Sequence, residues 1–302
     1  MPDSSNPGGF GARVWISFAI ITLIWGSTWL VIKTQLGVVP PSWSVTWRFL
    51  VGGTAMLLMC LATGKSLRLT ARQHGFALIV AVMQFVLNFN LVYRAEQHVT
   101  SGLVALSFAL LLVPNAVLAA LFLGQRITLR FALGSALGII GVLLLFARDL
   151  LLPGADDREI LLGLGLAFAG VFSASVANVM QASPAGRAMP LEGGLAWSML
   201  YGAALNAGVA LVLAGPPVID PSPAYLAGVA YLGLVASALA FSLYYAIIRA
   251  IGPGPAAYSG VVIPIVAMAL STLFEAYVWS PLALLGCGLA LAGLVVALRS
   301  RR

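Results

Sequence analysis

The segments VTWRFLVG at residues 45–52 and LAWSMLYG at residues 195–202 carry Trp, Leu and Gly at the same three places, 150 residues apart. The same spacing separates Pro114 from Pro264 and Gln125 from Glu275. A spacing longer by two residues separates Gly134 from Gly286 and Gly141 from Gly293. Weak matches that keep their order along the chain indicate an internal repeat. We therefore predict a first unit at residues 1–150 and a second at residues 151–302.

The composition indicates a protein with most of its mass in a membrane. Hydrophobic residues make up 61% of the 302 residues and charged residues only 8%, with a mean hydropathy of +1.03. Soluble domains carry about 25% charged residues, and a helix needs about 20 apolar residues to cross the hydrocarbon core. Ten such stretches follow one another: about 14–34, 42–63, 74–94, 99–123, 129–147, 160–181, 193–214, 224–250, 255–276 and 281–298.

Five predicted spans fall in each half, and an odd number forces the second half to cross the bilayer in the opposite direction. The predicted fold is an all-α integral membrane protein with ten transmembrane helices, arranged as two inverted five-helix repeats. Inverted repeats are typical of transporters, whose substrate site lies between the repeats near the bilayer midplane. We therefore expect transport by alternating access through a central cavity.

The basic residues are distributed unevenly about these spans. With the N-terminus in the cytoplasm, four lie outside: Lys33, Arg94, Arg148 and Arg158. Eleven lie inside: Arg13, Lys65, Arg68, Arg72, Arg126, Arg130, Arg187, Arg249, Arg299, Arg301 and Arg302. This asymmetry predicts a multi-pass protein of a bacterial-type inner (plasma) membrane with both termini cytoplasmic. It also accounts for the pI of about 9.9 without a nucleic-acid partner.

Several short motifs in this order resemble a known family. They are the WGS at residues 25–27, Arg48 early in the second span, and a Pro followed eleven residues later by Gln125 in one half and by Glu275 in the other. With the glycine pairs, they resemble the EamA-type drug/metabolite transporter superfamily over nearly the whole chain, and most of all its YddG-like branch of aromatic amino acid exporters. The resemblance implies a ten-helix exporter. Gln125 departs from the pattern, because the family often has Glu there.

The candidate substrate-binding residues are polar, aromatic or kink-forming residues inside the predicted spans. They are Trp25, Thr28, Gln84, Asn88, Ser107, Pro114, Ser175, Asn178, Tyr244, Tyr258 and Pro264. Trp25, Thr28 and Trp29 share one helical face, as do Gln84 and Asn88. Polar groups inside a span must face protein or water, so each of these residues either lines a cavity or bonds to a neighbouring helix. Gly26 and Ser27 permit close helix approach, and Gly134, Gly138, Gly141, Gly286 and Gly293 are predicted packing faces.

The ionisable residues restrict the substrate class. Sugar phosphates would require several cations facing the cavity, and only Arg48 is available there. It can snorkel to the outer surface or bind helix-end carbonyls, and we favour such a structural role over the binding of a substrate carboxylate. Cationic drugs would require a buried acid, but Glu96 and Glu275 are predicted at outer helix ends. What remains is a neutral or zwitterionic apolar metabolite, with aromatic and other bulky amino acids fitting best. Without a midspan acid, transport should not strictly require a proton gradient.

Other functions stay open at this stage. A broad drug or metabolite efflux protein would share the same fold. A membrane-embedded enzyme is disfavoured, because the sequence has no HExxH motif and its two histidines lie at helix ends. A receptor would usually carry a soluble domain or a long tail. We expect no catalytic site, no cofactor and no metal, and as partners a small-molecule substrate and membrane lipid, with the protein a monomer.

The charge asymmetry predicts the orientation of the chain. In a variant without Cys60 and Cys287, a cysteine at Asp156 should react with an impermeant thiol reagent in intact cells, because the loop 148–159 is external. A cysteine at Lys65, on the predicted cytoplasmic side, should react only after permeabilisation. The opposite labelling pattern would show that the chain has the reverse orientation in the membrane.

Overall fold

A computed structural model describes residues 12–150, 157–251 and 259–299, and no β-strand occurs in these ranges. Seven helices are long and apolar enough to cross a membrane. They are α1 (Ala12–Thr34), α2 (Pro41–Thr63), α3 (Ala71–His98), α4 (Ser101–Leu123), α6 (Asp157–Ala182), α7 (Leu191–Ala214) and α8 (223–251).

Three further helices have shorter apolar stretches. They are α5 (Leu129–Leu150), α9 (Ser259–Phe274) and α10 (Pro281–Arg299). Each coincides with one of the other predicted spans. A helical structure with seven candidate membrane spans is thus confirmed for the described residues, while the count of ten spans stays a prediction.

Local sequence sets the helix ends. Thr70 caps α3, because its hydroxyl accepts the backbone N–H of Gln73 while the Gln73 side chain accepts the backbone N–H of Thr70. Gly64 and Gly124 end α2 and α4 with φ of 66° each, a left-handed conformation that glycine adopts without steric cost. These turns keep successive helices close together.

Two helices widen in the middle. A π-helical stretch lies at Ala81–Asn88 in α3 and another at Tyr231–Leu239 in α8, starting 150 residues apart like the sequence repeat. Such stretches disturb the usual backbone bonding and are frequent at functional sites. The Ser237 hydroxyl donates to the carbonyl of Leu232, five residues earlier, at 2.7 Å. The wider turn thereby fixes the direction of this side chain.

The paired prolines act differently. Pro114 lacks an N–H and crowds the carbonyl four residues earlier, and α4 is interrupted at Leu110–Leu111, between helical stretches at Ser101–Ala109 and Leu112–Leu123. Pro264 lies inside an uninterrupted α9. Of these two kink-forming candidates, Pro114 alone lies next to an interruption of its helix in the described residues.

The helices α2 and α7 are antiparallel neighbours. The indole N–H of Trp43 at the start of α2 donates to the carbonyl of Gly215, just after α7, at 3.3 Å. At the other end, the indole N–H of Trp197 donates to the carbonyl of Leu67, just after α2, at 2.9 Å. Between these bonds, a Cβ added to Gly53 would lie 2.9 Å from Leu200. The segments with the repeated sequence therefore face each other.

The closest helix packing joins α5 to α10. A Cβ on Gly134 would lie 2.4 Å from the backbone nitrogen of Ala297, and one on Gly141 would lie 2.3 Å from that of Ala290. A Cβ on Gly293 would lie 2.3 Å from the nitrogen of Gly138. Backbone thus packs on backbone in antiparallel directions, and the prediction that these glycines form packing faces is confirmed.

The remaining contacts come in matched pairs. The helix α1 packs on α9 and α8, while α6, its counterpart in the second half, packs on α4 and α3. Similarly, α2 contacts the π stretch of α8 and α7 contacts that of α3. The main apolar core draws on both halves, for example through Phe49, Phe85, Met199 and Leu232. These contacts therefore have equivalents when the two halves are exchanged.

The close contact at Gly293 predicts that two glycine substitutions within α10 have different effects on stability. Gly293→Ala should cost about 1 to 3 kcal/mol, because the added methyl group meets backbone that cannot turn aside. Gly288→Ala is the matched control, since a Cβ there meets no atom within 4 Å. Thermal unfolding of the purified variants in detergent measures the difference. Equal melting temperatures would contradict the close packing of α5 and α10.

Candidate functional site

A cavity of about 150 Å³ lies among seven helices from both halves. A cavity that holds a single water molecule has a volume of roughly 10 to 15 Å³ when measured in the same way. This cavity can therefore hold a small organic molecule. The lining is largely aromatic and aliphatic with a few amides. Its residues are Trp25, Thr28, Trp29, Ile32, Arg48, Gln84, Asn88, Phe89, Val92, Ala105, Phe108, Ala109, Leu111, Leu112, Asn115, Ala174, Asn178, Phe241, Tyr244, Ile263 and Pro264.

One face of α1 forms a wall of this cavity. Trp25 packs edge-on against Tyr244 of α8, with 4.9 Å between ring centroids, and its indole N–H donates to the carbonyl of Ala236 at 3.2 Å. That carbonyl belongs to the π-helical stretch of α8. Trp29 packs against Phe108 of α4 at 5.0 Å. The aromatic wall is therefore held by ring contacts and by one hydrogen bond.

The other faces of α1 serve helix packing. A Cβ on Gly26 would lie 2.6 Å from the side chain of Val266 in α9. The hydroxyls of Ser27 and Tyr231 are hydrogen-bonded at 2.7 Å. The stretch from Trp25 to Trp29 thus serves two purposes, because the aromatic residues and Thr28 face the cavity while Gly26 and Ser27 join α1 to other helices.

Amide side chains supply most of the polar groups of the lining. Gln84 and Asn88 come from α3, Asn115 from α4 and Asn178 from α6. The side-chain oxygens of Asn88 and Asn115 are buried and have no hydrogen-bond partner among the described residues. Thr28 differs, because its hydroxyl donates to the carbonyl of Ile24 in its own helix at 2.8 Å. The two amides keep hydrogen-bonding capacity that the protein does not use.

Arg48 is the cation on the cavity wall. It is 1% exposed, its Nε–H donates to the hydroxyl of Ser237 at 3.0 Å, and its guanidinium lies 4.3 Å from the ring centroid of Phe89. Of the structural roles expected for Arg48, snorkelling to the outer surface is therefore ruled out, and the guanidinium bonds to a side-chain hydroxyl instead. The π-helical stretch of α8 places Ser237 where it holds the guanidinium inside.

Four of the predicted site residues are not part of this lining. The Ser107 hydroxyl is buried and donates to the carbonyl of Leu103, at 3.0 Å, within α4. Ser175 is buried beside the cavity-lining Ala174, on a neighbouring face of α6. Pro114 acts through the interruption of α4, which supplies Leu111, Leu112 and Asn115 to the wall. Tyr258 lies outside the described residues. The other seven candidates line the cavity, and their role in substrate binding stays a prediction.

Sequence reasoning missed part of the wall. Phe89, Phe108 and Phe241 look like ordinary apolar residues of a span, and helical spacing alone does not tell which neighbour an aromatic ring faces. Asn115 gave a usable signal, because it is an amide inside an apolar stretch and directly follows Pro114. Such a residue must face protein or water.

A layer of polar residues lies next to the cavity. Glu96 of α3 is fully buried, and neither of its carboxylate oxygens has a hydrogen-bond partner among the described residues. Lys33 donates to the backbone carbonyl of Glu96, and Glu275 accepts from the hydroxyl and backbone N–H of Ser101. Lys33, Glu96 and Ser101 each lie one helical turn from a lining residue of the same helix: Trp29, Val92 and Ala105.

The burial of Glu96 differs from the expectation, which placed this acid at an outer helix end. It lies in the last turns of α3 and is fully buried, which the sequence pattern of α3 alone does not reveal. The nearby His98 is in contact with Glu159 at the start of α6. Among the acids of these helix ends, Glu96 is the one enclosed by protein.

Helices of this length around one aromatic and amide-lined cavity define a multi-pass membrane protein with an internal cavity. Residues 13–147 match the EamA-like transporter family. A solved structure described only as "Crystal structure of protein" has a TM-score of 0.70 and 22% identity, covering 95% of this chain and 97% of that one. At this identity the similarity extends to the fold alone.

Relatives with curated names are transporters or proteins without a stated activity. Protein PagO of Salmonella typhimurium is 27% identical over 124 residues, and the chain spans 41% of its length. The uncharacterized inner membrane transporter YedA of Escherichia coli K12 is 28% identical over 260 residues, which cover 83% of this chain and 79% of YedA. The uncharacterized transporter YoaV of Bacillus subtilis is 19% identical over 256 residues, covering 85% and 86%.

The buried carboxyl of Glu96 generates a prediction about stability. Glu96→Gln keeps the shape and removes the ionisable group, so the free energy of unfolding should stay level or rise by up to about 1 kcal/mol, because a buried acid without a partner is costly. Glu192→Gln is the control, since Glu192 forms a partly exposed ion pair with Lys65 at 3.3 Å. Thermal unfolding of both variants measures the change in stability. A marked loss of stability in Glu96→Gln alone would contradict the view that the buried carboxyl is costly.

Proposed function

We propose that the protein exports neutral or zwitterionic apolar metabolites, aromatic and other bulky amino acids above all, by alternating access through the central cavity. The observation that carries this proposal is the chemistry of the lining. Trp25, Phe108 and Tyr244 offer rings on which an aromatic side chain can pack, at about 0.5 to 1.5 kcal/mol beyond area burial. The amides of Asn88 and Asn115 offer polar contacts that fix orientation.

The fold supports alternating access. The antiparallel pairs α2 with α7 and α5 with α10, the paired contacts of the other helices and the π stretches 150 residues apart are what two inverted five-helix repeats would produce. In such transporters the site lies between the repeats, and one group of helices rocks against the other. We propose residues 1–150 and 151–302 as the repeats, with ten spans and both termini cytoplasmic.

The comparisons support transport and an inner-membrane location. YedA is named an inner membrane transporter and YoaV a transporter, and the EamA-like match covers the first proposed repeat. None of these names states a substrate. The preference for aromatic amino acids therefore depends on the cavity wall.

A counterflow assay tests the function. Purified protein in liposomes preloaded with unlabelled phenylalanine should accumulate labelled phenylalanine from outside, whereas empty liposomes should not. Threonine, a cationic dye such as ethidium and a sugar phosphate complete the panel. Preferred exchange of ethidium would instead establish a broad drug efflux protein, and exchange of the sugar phosphate would contradict the proposed substrate class. Exchange that strictly requires an imposed pH difference would contradict the expectation of independence from a proton gradient.

The aromatic wall predicts unequal effects at Trp25. Trp25→Ala should weaken phenylalanine exchange about threefold to tenfold, because a ring contact is lost, and should reduce threonine exchange less. Trp25→Phe keeps a ring but loses the hydrogen bond to Ala236, so it should retain most of the phenylalanine preference. Both are measured at matched protein amounts in liposomes. Equal losses for both substrates would make Trp25 a packing residue only.

A further inference from the structure

The guanidinium of Arg48 has no acidic partner in the described part of the chain. Ion pairs there, taken at 4.0 Å or less, join Lys65 to Glu192 and His98 to Glu159, and none involves Arg48. The charge of Glu96 acts on Arg48 from beyond this distance. A buried charge without a close partner is costly, and ionisable groups inside membrane spans mark substrate pathways. The position therefore requires an explanation beyond packing.

The protein holds this side chain firmly but leaves part of it unused. Nε–H donates to Ser237, whose own hydroxyl is fixed by the carbonyl of Leu232. The rings of Phe89 and Phe49 lie 4.3 and 5.4 Å from Cζ. Nη1 is covered and has no hydrogen-bond acceptor within 3.5 Å; the hydroxyl of Tyr93 is close to the guanidinium but makes no hydrogen bond at that distance. A guanidinium oriented in this way keeps an N–H group available for a planar anion such as a carboxylate.

We propose that Arg48 binds the carboxylate of the transported substrate. This inference rests on the proposed function of the cavity and adds the headgroup to the substrate class: a carboxylic acid with an apolar or aromatic body, such as an α-amino acid. The carboxylate supplies the anion that Arg48 lacks, and the free oxygens of Asn88 and Asn115 are available to the ammonium group. Since Nη1 is covered, the side chains around it shift as the substrate enters.

A structural role for Arg48 makes a different prediction. The bond to Ser237 links α2 to α8, and its loss alone would weaken the transport of every substrate by the same factor. Recognition of a carboxylate instead affects only substrates that carry one. The ratio between matched compounds therefore separates the two roles, even when a variant is less active.

The experiment uses phenylalanine, phenylalaninamide, phenethylamine and 3-phenylpropionate as competitors of labelled phenylalanine in the counterflow assay. For the unmodified protein, the two carboxylates should compete about tenfold to a hundredfold better than the amide and the amine, the range expected for a hydrogen bond to a charged group. If the amide and the amine compete as well as phenylalanine, the carboxylate site is overturned while the proposed transport of aromatic compounds stands. If no aromatic compound is exchanged, the proposed function itself fails.

Two variants locate the effect at Arg48. Arg48→Gln should reduce the preference for phenylalanine over phenylalaninamide to near one, and Arg48→Lys should restore part of it, because charge remains without the planar group. Arg68→Gln, at an exposed position, is the control and should keep the full preference. An unchanged preference in a folded Arg48→Gln protein would overturn the assignment. If that variant does not fold, Ser237→Ala, which frees the guanidinium from its anchor, should lower the preference, and an unchanged ratio there would overturn it.

Discussion

A bilayer offers no hydrogen bonds, so every polar group in a span must find its partner within the protein or face an internal space. The structure satisfies this constraint locally where it can, as when Thr28 donates to its own helix and Trp25 to the π-helical stretch of α8. The exceptions include Arg48, Asn88 and Asn115, which keep unpartnered polar atoms and all line the same cavity. Unused bonding capacity around one space is what a binding site for a partly polar molecule needs.

The glycine-rich contacts form a frame around this space. The helices α5 and α10 meet backbone to backbone, and α2 meets α7 through Gly53. Such contacts leave no room for a side chain at these glycines, so the pairs pack tightly. Between them, α1, α3, α4, α6, α8 and α9 supply most of the cavity wall. The interrupted α4 and the π-helical stretches of α3 and α8 lie in this less regular group.

Much of the fold could be predicted from the sequence, because hydropathy marks spans and the repeated Trp, Leu, Pro and Gly positions relate the halves. The cavity face of α1 could be predicted too, since helical spacing places Trp25 and Thr28 together. Helical spacing does not show how deeply a residue is buried or which residues of other helices it contacts. Arg48 is buried and bonded to Ser237 of α8, and Glu96 is fully buried with Lys33 of α1 bonded to its backbone carbonyl. Pro114 shapes the wall without lining it, which only the interruption of α4 reveals.

The central claim is that the amide-lined and aromatic cavity is the substrate site. Its most direct test is substrate protection in a cysteine-free background. Ala174→Cys places a thiol on the cavity wall in α6, whereas Ala177→Cys places one at a fully buried position of the same helix that is not part of the wall. We predict that a small thiol reagent modifies the first in liposomes and that phenylalanine slows this reaction several-fold, with the second unreactive. Modification of the residue 174 thiol at the same rate with and without phenylalanine would contradict the claim.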